Sequence, residues 1–531
     1  MNIIPAPLKM ELNNEKVCFD CVSVYPDCEN KELLNSVFKI PCKSNFVNPA
    51  HLLFRENKDL ISKSFSSDKA KDAYIITVDK TSIIADYYSY SGFVNAVSTV
   101  EQLLIDIING KEKAELKTGK IFDSPKYSYR GLLVDCARHF VPITELKKTI
   151  KMMAFYKLNY LHLHLTDDQG WRIEIKKYPL LTQNGSVRSE TQLTLSGKKD
   201  GKEYGKGMFY TQDELRELVS YAEKYAVEII PEIDMPGHLL GAISQYPYLS
   251  CSGNAVKVRN SWGVERIIAC ASKEETFKFL TDVIDEVTEI FPCEYFHIGG
   301  DEVPKDEWKK CPSCQKKIKE LGLKNENELQ GWFENKVIDY LECKGKQVLI
   351  WDENLGVSPA SKKTVLQLWR NELNRAQSFE WIKNHGKMLI SYGKHFYFDY
   401  PYGRTSLKKT YEFLPENIKL KQSDFAHILG QEAAVWTEWI RNKEKYEFML
   451  YPRMQAFAEN CWSENADDYS DFEKRLKSHF EYLRMNRIDY CPLKLCNPKG
   501  ITGFKQKILA NLRTSDTYGE IRLKRNFNDI K

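Results

Sequence analysis

The chain has 531 residues, long enough that more than one domain is expected. Its 77 basic and 73 acidic side chains leave a formal charge of only +4, which gives no electrostatic case for nucleic acid or an anionic membrane surface. Hydrophobic residues make up 42% of the chain, enough for large cores. The mean hydropathy of -0.48 and the lack of an apolar run of about 18 residues argue against a membrane span.

The chain opens MNIIPAPLKMELNN, without the basic stretch and apolar core of a secretory leader. The expectation is a cytosolic protein, or a periplasmic or secreted one whose leader has been removed. Residues 1–122 read as a small α+β domain. YIITVD (74–79) alternates as a strand should, and 92–109 carries apolar residues at helical spacing. No chemistry is evident there.

From about residue 124, short apolar runs alternate with helical stretches. The runs are 131–135, 159–165, 227–234, 294–300, 347–351, 364–369, 387–391 and 427–436. Between them, Thr211 with Glu214 makes a capping box, and a second helix is expected to start near Ser272 with Glu275 three positions on. Eight buried strands with intervening helices are the pattern of a (β/α)8 TIM barrel, placed here at 123–490. Two further helices, near 451–462 and 472–485, would complete it. Residues 491–531, ending RLKRNFNDIK, read as a solvated C-terminal extension.

A barrel carries its active site where the strands end. Asp135 and Arg138 follow the first run, and Thr166, Asp167 and Asp168 the second. Asp234 and His238 follow the third, Asp301 and Glu302 the fourth, Trp351, Asp352 and Glu353 the fifth. Trp369 and Arg370 end the sixth, Tyr397 and Asp399 lie beyond the seventh, and Trp436 and Glu438 close the eighth. Aromatic faces stack on the C–H side of a pyranose, while carboxylates and Arg grip its hydroxyls, so this rim points to a sugar site. Asp301 and Glu302 follow a glycine pair and point in divergent directions, so they serve two jobs in glycosidic cleavage.

His162 and His164 face one side of one strand, too few ligands for a metal, and no metal or cofactor is expected. The sequence has 14 cysteines. Cys18, Cys21, Cys28 and Cys42 cluster early, and Cys251 and Cys270 flank a loop. Cys311 and Cys314 form a Cys-x-x-Cys in a Lys-rich stretch, where zinc would need two further ligands that the sequence does not place. Structural or incidental cysteines, disulfides included, are expected.

HIGGDE (297–302) resembles the signature of glycoside hydrolase family 20, the β-N-acetylhexosaminidases. YRGLLVDCARHF (129–140), LNYLHLHLTDDQGWRIEI (158–175), PEIDMPGH (231–238), WDE (351–353) and YFDY (397–400) resemble the family's other strand-end motifs, in order. The likeness spans roughly 122–490, and IIPAP with the helix GFVNAVSTVEQLL resembles the family's accessory domain. It implies a retaining exo-acting enzyme that removes terminal β-linked GlcNAc or GalNAc from glycans or amino-sugar oligosaccharides, with the substrate's 2-acetamido group as nucleophile. Glu302 would be the acid and then the base, Asp301 would orient the acetamido group, and Tyr397 would bond its oxygen. Trp351, Trp369 and Trp436 would wall the pocket, and Arg138, Asp399 and Glu438 would hold sugar hydroxyls. Asp167, His238 and His297 would support the acid. The competing expectations are a catalytically silent carbohydrate-binding barrel, or a family variant releasing a disaccharide or a sulfated GlcNAc.

Overall fold

The computed structural model describes residues 2–25, 30–38, 48–194, 196–354, 364–369, 381, 386–415, 422–464 and 468–511. Arg370, Cys28, Cys42 and the basic residues after 511 lie outside them.

The N-terminal α+β domain is built on a six-stranded mixed sheet. Its spatial order is Lys9–Phe19, Ala114–Asp123, Tyr74–Val78, Ser82–Tyr87, Pro49–Glu56, Cys21–Val24. The first four strands pair antiparallel and the last two join in parallel. The helix expected over 92–109 runs Tyr90–Leu103 and then breaks at Leu104, whose backbone leaves helical geometry before Ile105–Ile108. The long helix is buried on nearly every side because it lies between this sheet and the barrel. Ser98 Oγ donates to Ala154 O and Gln102 Nε2 to Phe155 O, both at 2.8 Å, fastening the helix to the first barrel helix, Ile143–Phe155.

The eight apolar runs all form strands, and these close into a parallel barrel. In chain order they are Tyr129–Asp135, Tyr160–His164, Glu228–Glu232, Tyr295–His297, Gln347–Trp351, Val365–Leu368, Met388–Ile390 and Ile428–Val435. The last strand pairs the first from Gly430↔Tyr129 to Val435↔Val134. Each strand is buried along nearly its whole length because it is covered by helices outside and filled by side chains inside. Among the described residues no helix is long and apolar enough to cross a membrane.

The Thr211 capping box forms: Thr211 Oγ1 accepts from Glu214 N at 3.2 Å, and Glu214 Oε2 accepts from Thr211 N at 2.8 Å. Ser272 makes no such box. The helix there starts at Glu274, and Ser272 Oγ instead lies 3.2 Å from Cys270 Sγ. The solvated extension also needs correcting over its first part. Cys491 and Cys496 are fully buried, and Asn497 bonds both Lys408 N and Tyr469 OH, so this segment packs on the barrel.

None of the described cysteines forms a disulfide. Folding does supply what the sequence left unplaced: Cys251 and Cys270 come to lie against the Cys311-x-x-Cys314 pair.

Candidate active site

Three layers of polar chemistry lie along the barrel axis, and the deepest was not foreseen. Inside the strands, Glu232 Oε2 lies 2.5 Å from His164 Nδ1 and 3.2 Å from His162 Nε2, while Oε1 is 3.0 Å from His297 Nδ1. Trp351 Nε1 donates to the same Oε1 at 3.1 Å. Glu432 lies beside it, receiving Tyr129 OH at 2.5 Å and Gln367 Nε2 at 2.7 Å and pairing His162 Nδ1 at 2.9 Å. Burial opposes these charges, yet the three histidines hold Glu232 well below the usual carboxylate range. Against the same burial penalty, Glu432 and Glu232 raise His162 to about 9. His162 and His164 are thus each paired with carboxylates of other strands. His297 packs on Trp351 with ring centres 4.9 Å apart.

The middle layer centres on Asp167. Its Oδ2 pairs Arg138 Nη2 at 2.6 Å and His164 Nε2 at 2.9 Å, and its Oδ1 lies 3.3 Å from His238 Nδ1. Despite burial, Arg138 and His238 hold this carboxyl below its usual range. Asp168 accepts from Leu240 N and Glu265 N, and burial pushes it up to about 6. Arg138 also donates to Gln169 Oε1 at 3.1 Å and lies 5.3 Å from the Trp436 ring centre. Asp135, at the end of the first strand, accepts from Thr437 N and Oγ1 and from Ala137 N.

The rim carries the carboxylate pair. Gly299 has φ 68°, and a Cβ there would stand 1.8 Å from Asp234 Oδ1, so only glycine lets the chain pass this carboxyl. Gly300 N donates to that Oδ1 at 3.0 Å. Burial, and then Asp301, raise the Asp234 carboxyl well above its usual range. Glu302 itself adopts a left-handed φ of 50°, uncommon for a residue with a side chain, and its N–H is caught by Glu353 Oε2 at 2.6 Å. His238 Nε2 lies 4.0 Å from Asp301 Oδ2 and 3.9 Å from Glu302 Oε2. Despite burial, Asp167, Asp234 and Asp301 raise this imidazole well above 6.5, so it is a cation between carboxylates. Asp301 Oδ1 is buried and has no hydrogen-bond donor among the described residues.

An aromatic wall closes the rim. Trp369 stacks on Tyr397 with centres 6.0 Å apart and planes at 6°, and Trp436 meets Tyr397 at 6.0 Å. Trp351 lies 6.4 Å from Trp369 and 6.1 Å from Trp436. Burial, with Tyr400, Asp301 and Asp399 nearby, pushes the Tyr397 phenol well up, so it stays a donor. Half-buried Asp399 lies in the field of Tyr397, and half-buried Glu438 in that of Arg138.

The fold therefore gathers all twelve singled-out residues, with His297 set deeper than the rest. Asp234 and Glu353 stand on the rim in the sequence without an assigned role, and Glu232 and Glu432 have none. A charge inside an apolar strand (Glu232 in VEIIPEID, Glu432 in HILGQEAAVW) was the available signal.

Residues 127–465 match the description "Glycosyl hydrolase family 20, catalytic domain". A beta-hexosaminidase of Porphyromonas gingivalis is 35% identical over 513 residues, covering 92% of this chain and 64% of that one. The chain thus spans just under two thirds of the length of that relative. A beta-hexosaminidase of Akkermansia muciniphila is 33% identical over 437 residues, 79% of this chain and 85% of that one. Among solved structures, the family 20 exo beta-N-acetylglucosaminidase of Vibrio harveyi in complex with N-acetylglucosamine superposes with a TM-score of 0.78. The identity is 30%, covering 92% of this chain and 78% of that one. The barrel, the order of its strand-end motifs and these matches agree: the chain belongs to glycosyl hydrolase family 20.

Proposed function

We propose that the chain is a retaining exo-β-N-acetylhexosaminidase, removing terminal non-reducing β-linked GlcNAc or GalNAc from glycans or oligosaccharides by substrate-assisted catalysis. The observation that carries this reading is the buried Asp301 Oδ1, an acceptor with no donor among the described residues, beside Glu302 and a Tyr397 phenol kept protonated. A site for ordinary two-carboxylate retention needs a protein nucleophile facing the acid across about 5 Å. Here the second carboxyl is the acid's immediate neighbour in the chain, better suited to holding a substrate group than to attacking from the opposite side.

In the first step the Glu302 carboxyl gives its proton to the glycosidic oxygen. The 2-acetamido oxygen of the sugar attacks the anomeric carbon as the bond to the aglycone breaks. Asp301 accepts a hydrogen bond from the acetamido N–H and offsets the positive charge of the resulting oxazolinium ring. Tyr397 OH donates to the acetamido oxygen and fixes its line of attack. In the second step the Glu302 carboxylate takes a proton from water, which adds to the anomeric carbon and reopens the ring with net retention. Because the nucleophile is tethered, its effective concentration is high and the protein's task is orientation. Trp351, Trp369 and Trp436 would hold the pyranose faces, with Arg138, Asp399 and Glu438 on its hydroxyls.

The test is an aryl β-GlcNAc glycoside beside the matching β-glucoside, with product configuration followed by NMR. The expected result is cleavage of the first with retention and little of the second. Equal rates on the two would rule out acetamido participation.

A further inference from the structure

Cys251 and Cys270, on the long loop after the third barrel strand, meet Cys311 and Cys314, which follow the carboxylate pair after the fourth. The four sulfurs lie within 4.8 Å of one another. Cys314 Sγ is 3.6 Å from Cys270 Sγ and 3.8 Å from Cys251 Sγ. A disulfide needs sulfurs about 2.05 Å apart. Thiolates at the corners of a tetrahedron around zinc, each about 2.3 Å from the metal, stand about 3.8 Å apart. The two Sγ–Sγ distances at Cys314 match the edge of that tetrahedron.

The surroundings fit the same chemistry. Ser272 Oγ lies 3.2 Å from Cys270 Sγ, where the hydroxyl can donate to thiolate sulfur, and 3.5 Å from Cys314 Sγ. Cys311 caps the helix Pro312–Glu320 and Cys314 sits in its first turn, where amide dipoles favour the thiolate form. Cys270, Cys311 and Cys314 are buried and Cys251 is half-buried. Four thiolates around a divalent ion leave a net negative charge, and Lys273, Lys309, Lys310, Lys316 and Lys317 flank the ligands in sequence.

We propose that Cys251, Cys270, Cys311 and Cys314 bind one zinc ion as a closed tetrathiolate that clamps the loop carrying His238 to the loop carrying Asp301 and Glu302. All four positions are taken by protein, so the centre is structural and has no open coordination site for substrate. One hydrogen bond joins the same two loops, Trp308 Nε1 donating to Ala269 O at 2.9 Å, and Ala269 N in turn donates to Pro236 O, also at 2.9 Å, within the loop that carries His238. The clamp therefore lies on the segment that follows Asp301 and Glu302, nine residues past Glu302 at Cys311.

The experiment is elemental analysis of the full chain purified under reducing conditions, with Cys270→Ser, Cys314→Ser and the control Cys343→Ser. The expected result is about one zinc per chain in the wild type and the control, falling to less than about a tenth in the other two. Replacement by cobalt should give the thiolate-to-cobalt charge-transfer band and strong visible bands of a tetrahedral sulfur site. If the serine variants fail to fold, the wild-type zinc content and cobalt spectrum decide. A wild type that stays metal-free after incubation with zinc, stoichiometric iron in place of zinc, or an intact mass showing these four cysteines in disulfides would each overturn the proposal.

Discussion

His238 Nδ1 and Asp167 Oδ1 lie 3.3 Å apart in the buried layer beneath the rim, and that contact leaves His238 Nε2 facing both rim carboxylates. Asp167 is the leading source of the imidazole's raised pKa once burial is overcome. The relationship fixes both the orientation and the charge of the group beside Asp301 and Glu302.

Asp167→Asn keeps the shape of the pair and removes its charge. The imidazole should then titrate at lower pH, nearer the unperturbed value of about 6.5. NMR of the ring nitrogens reads this directly, the wild type staying protonated through neutral pH. Arg138 loses its closest anion in the same variant, so a small shift of the rim is expected, and a misplacement of about 1 Å can cost about a hundredfold in rate. An imidazole that titrates identically in both proteins would remove Asp167 from this role.

Glu302→Gln and Asp301→Asn should each lower kcat by about 10²–10⁴-fold. Both side chains sit at the rim, partly open to solvent, so thermal unfolding should stay near wild type. The two variants separate by leaving group. An aryl aglycone that departs without a proton should restore much of the Glu302→Gln rate and little of the Asp301→Asn rate. Equal rescue would contradict the division of labour between them.

The barrel and its rim were legible because two simple signals coincide: apolar runs of strand length, and polar residues placed where each run stops. Less legible were groups whose meaning comes from three-dimensional closure. Glu232 and Glu432 stand within apolar strands, and only closing the barrel turns them toward His162. Cys251 and Cys270 are separated along the chain from Cys311 and Cys314, and loop spacing carries no register that would bring them together. Ser272 matched a capping pattern, yet the helix starts two residues later and the hydroxyl faces sulfur instead. The buried segment at Cys491 and Cys496 was read as solvated because its charged flanks dominate the composition.

Glu101 lies buried where the N-terminal domain's long helix meets Tyr469–Met485, accepting from Tyr482 OH at 2.7 Å. Burial raises its carboxyl from 4.5 to about 7, with Tyr482 and Lys151 opposing. The folded state therefore holds a proton that the unfolded chain releases, and stability is lost as pH rises from about 4.5 through 7. At about 1.4 kcal/mol per pKa unit, the loss is on the order of 3 kcal/mol. Glu101→Gln keeps an acceptor for Tyr482 and should raise the unfolding temperature at pH 8 while changing it little near pH 5. A variant no more stable than wild type at pH 8 would contradict this.

Glu232→Gln tests the deepest layer. The substitution preserves volume and can still accept from Trp351, so its main effect is to remove one negative charge from among three histidines. Removing one partner of a buried ion pair costs about 3–5 kcal/mol. Chemical denaturation at pH 7 should show a loss of that order. The pH dependence carries a second signature. Glu232 is depressed in the folded state, so its contribution is present above its usual pKa and disappears as pH falls through the folded value. His162, raised to about 9, contributes fully below about 6.5 and loses that contribution as pH rises through 9. The wild type should therefore lose stability between pH 6.5 and 9, and the variant should lose less, because without Glu232 the folded-state pKa of His162 moves back down. Only an interior ion cluster predicts both a lower stability at pH 7 and a flatter alkaline slope; a loss of stability with an unchanged slope would mean packing alone.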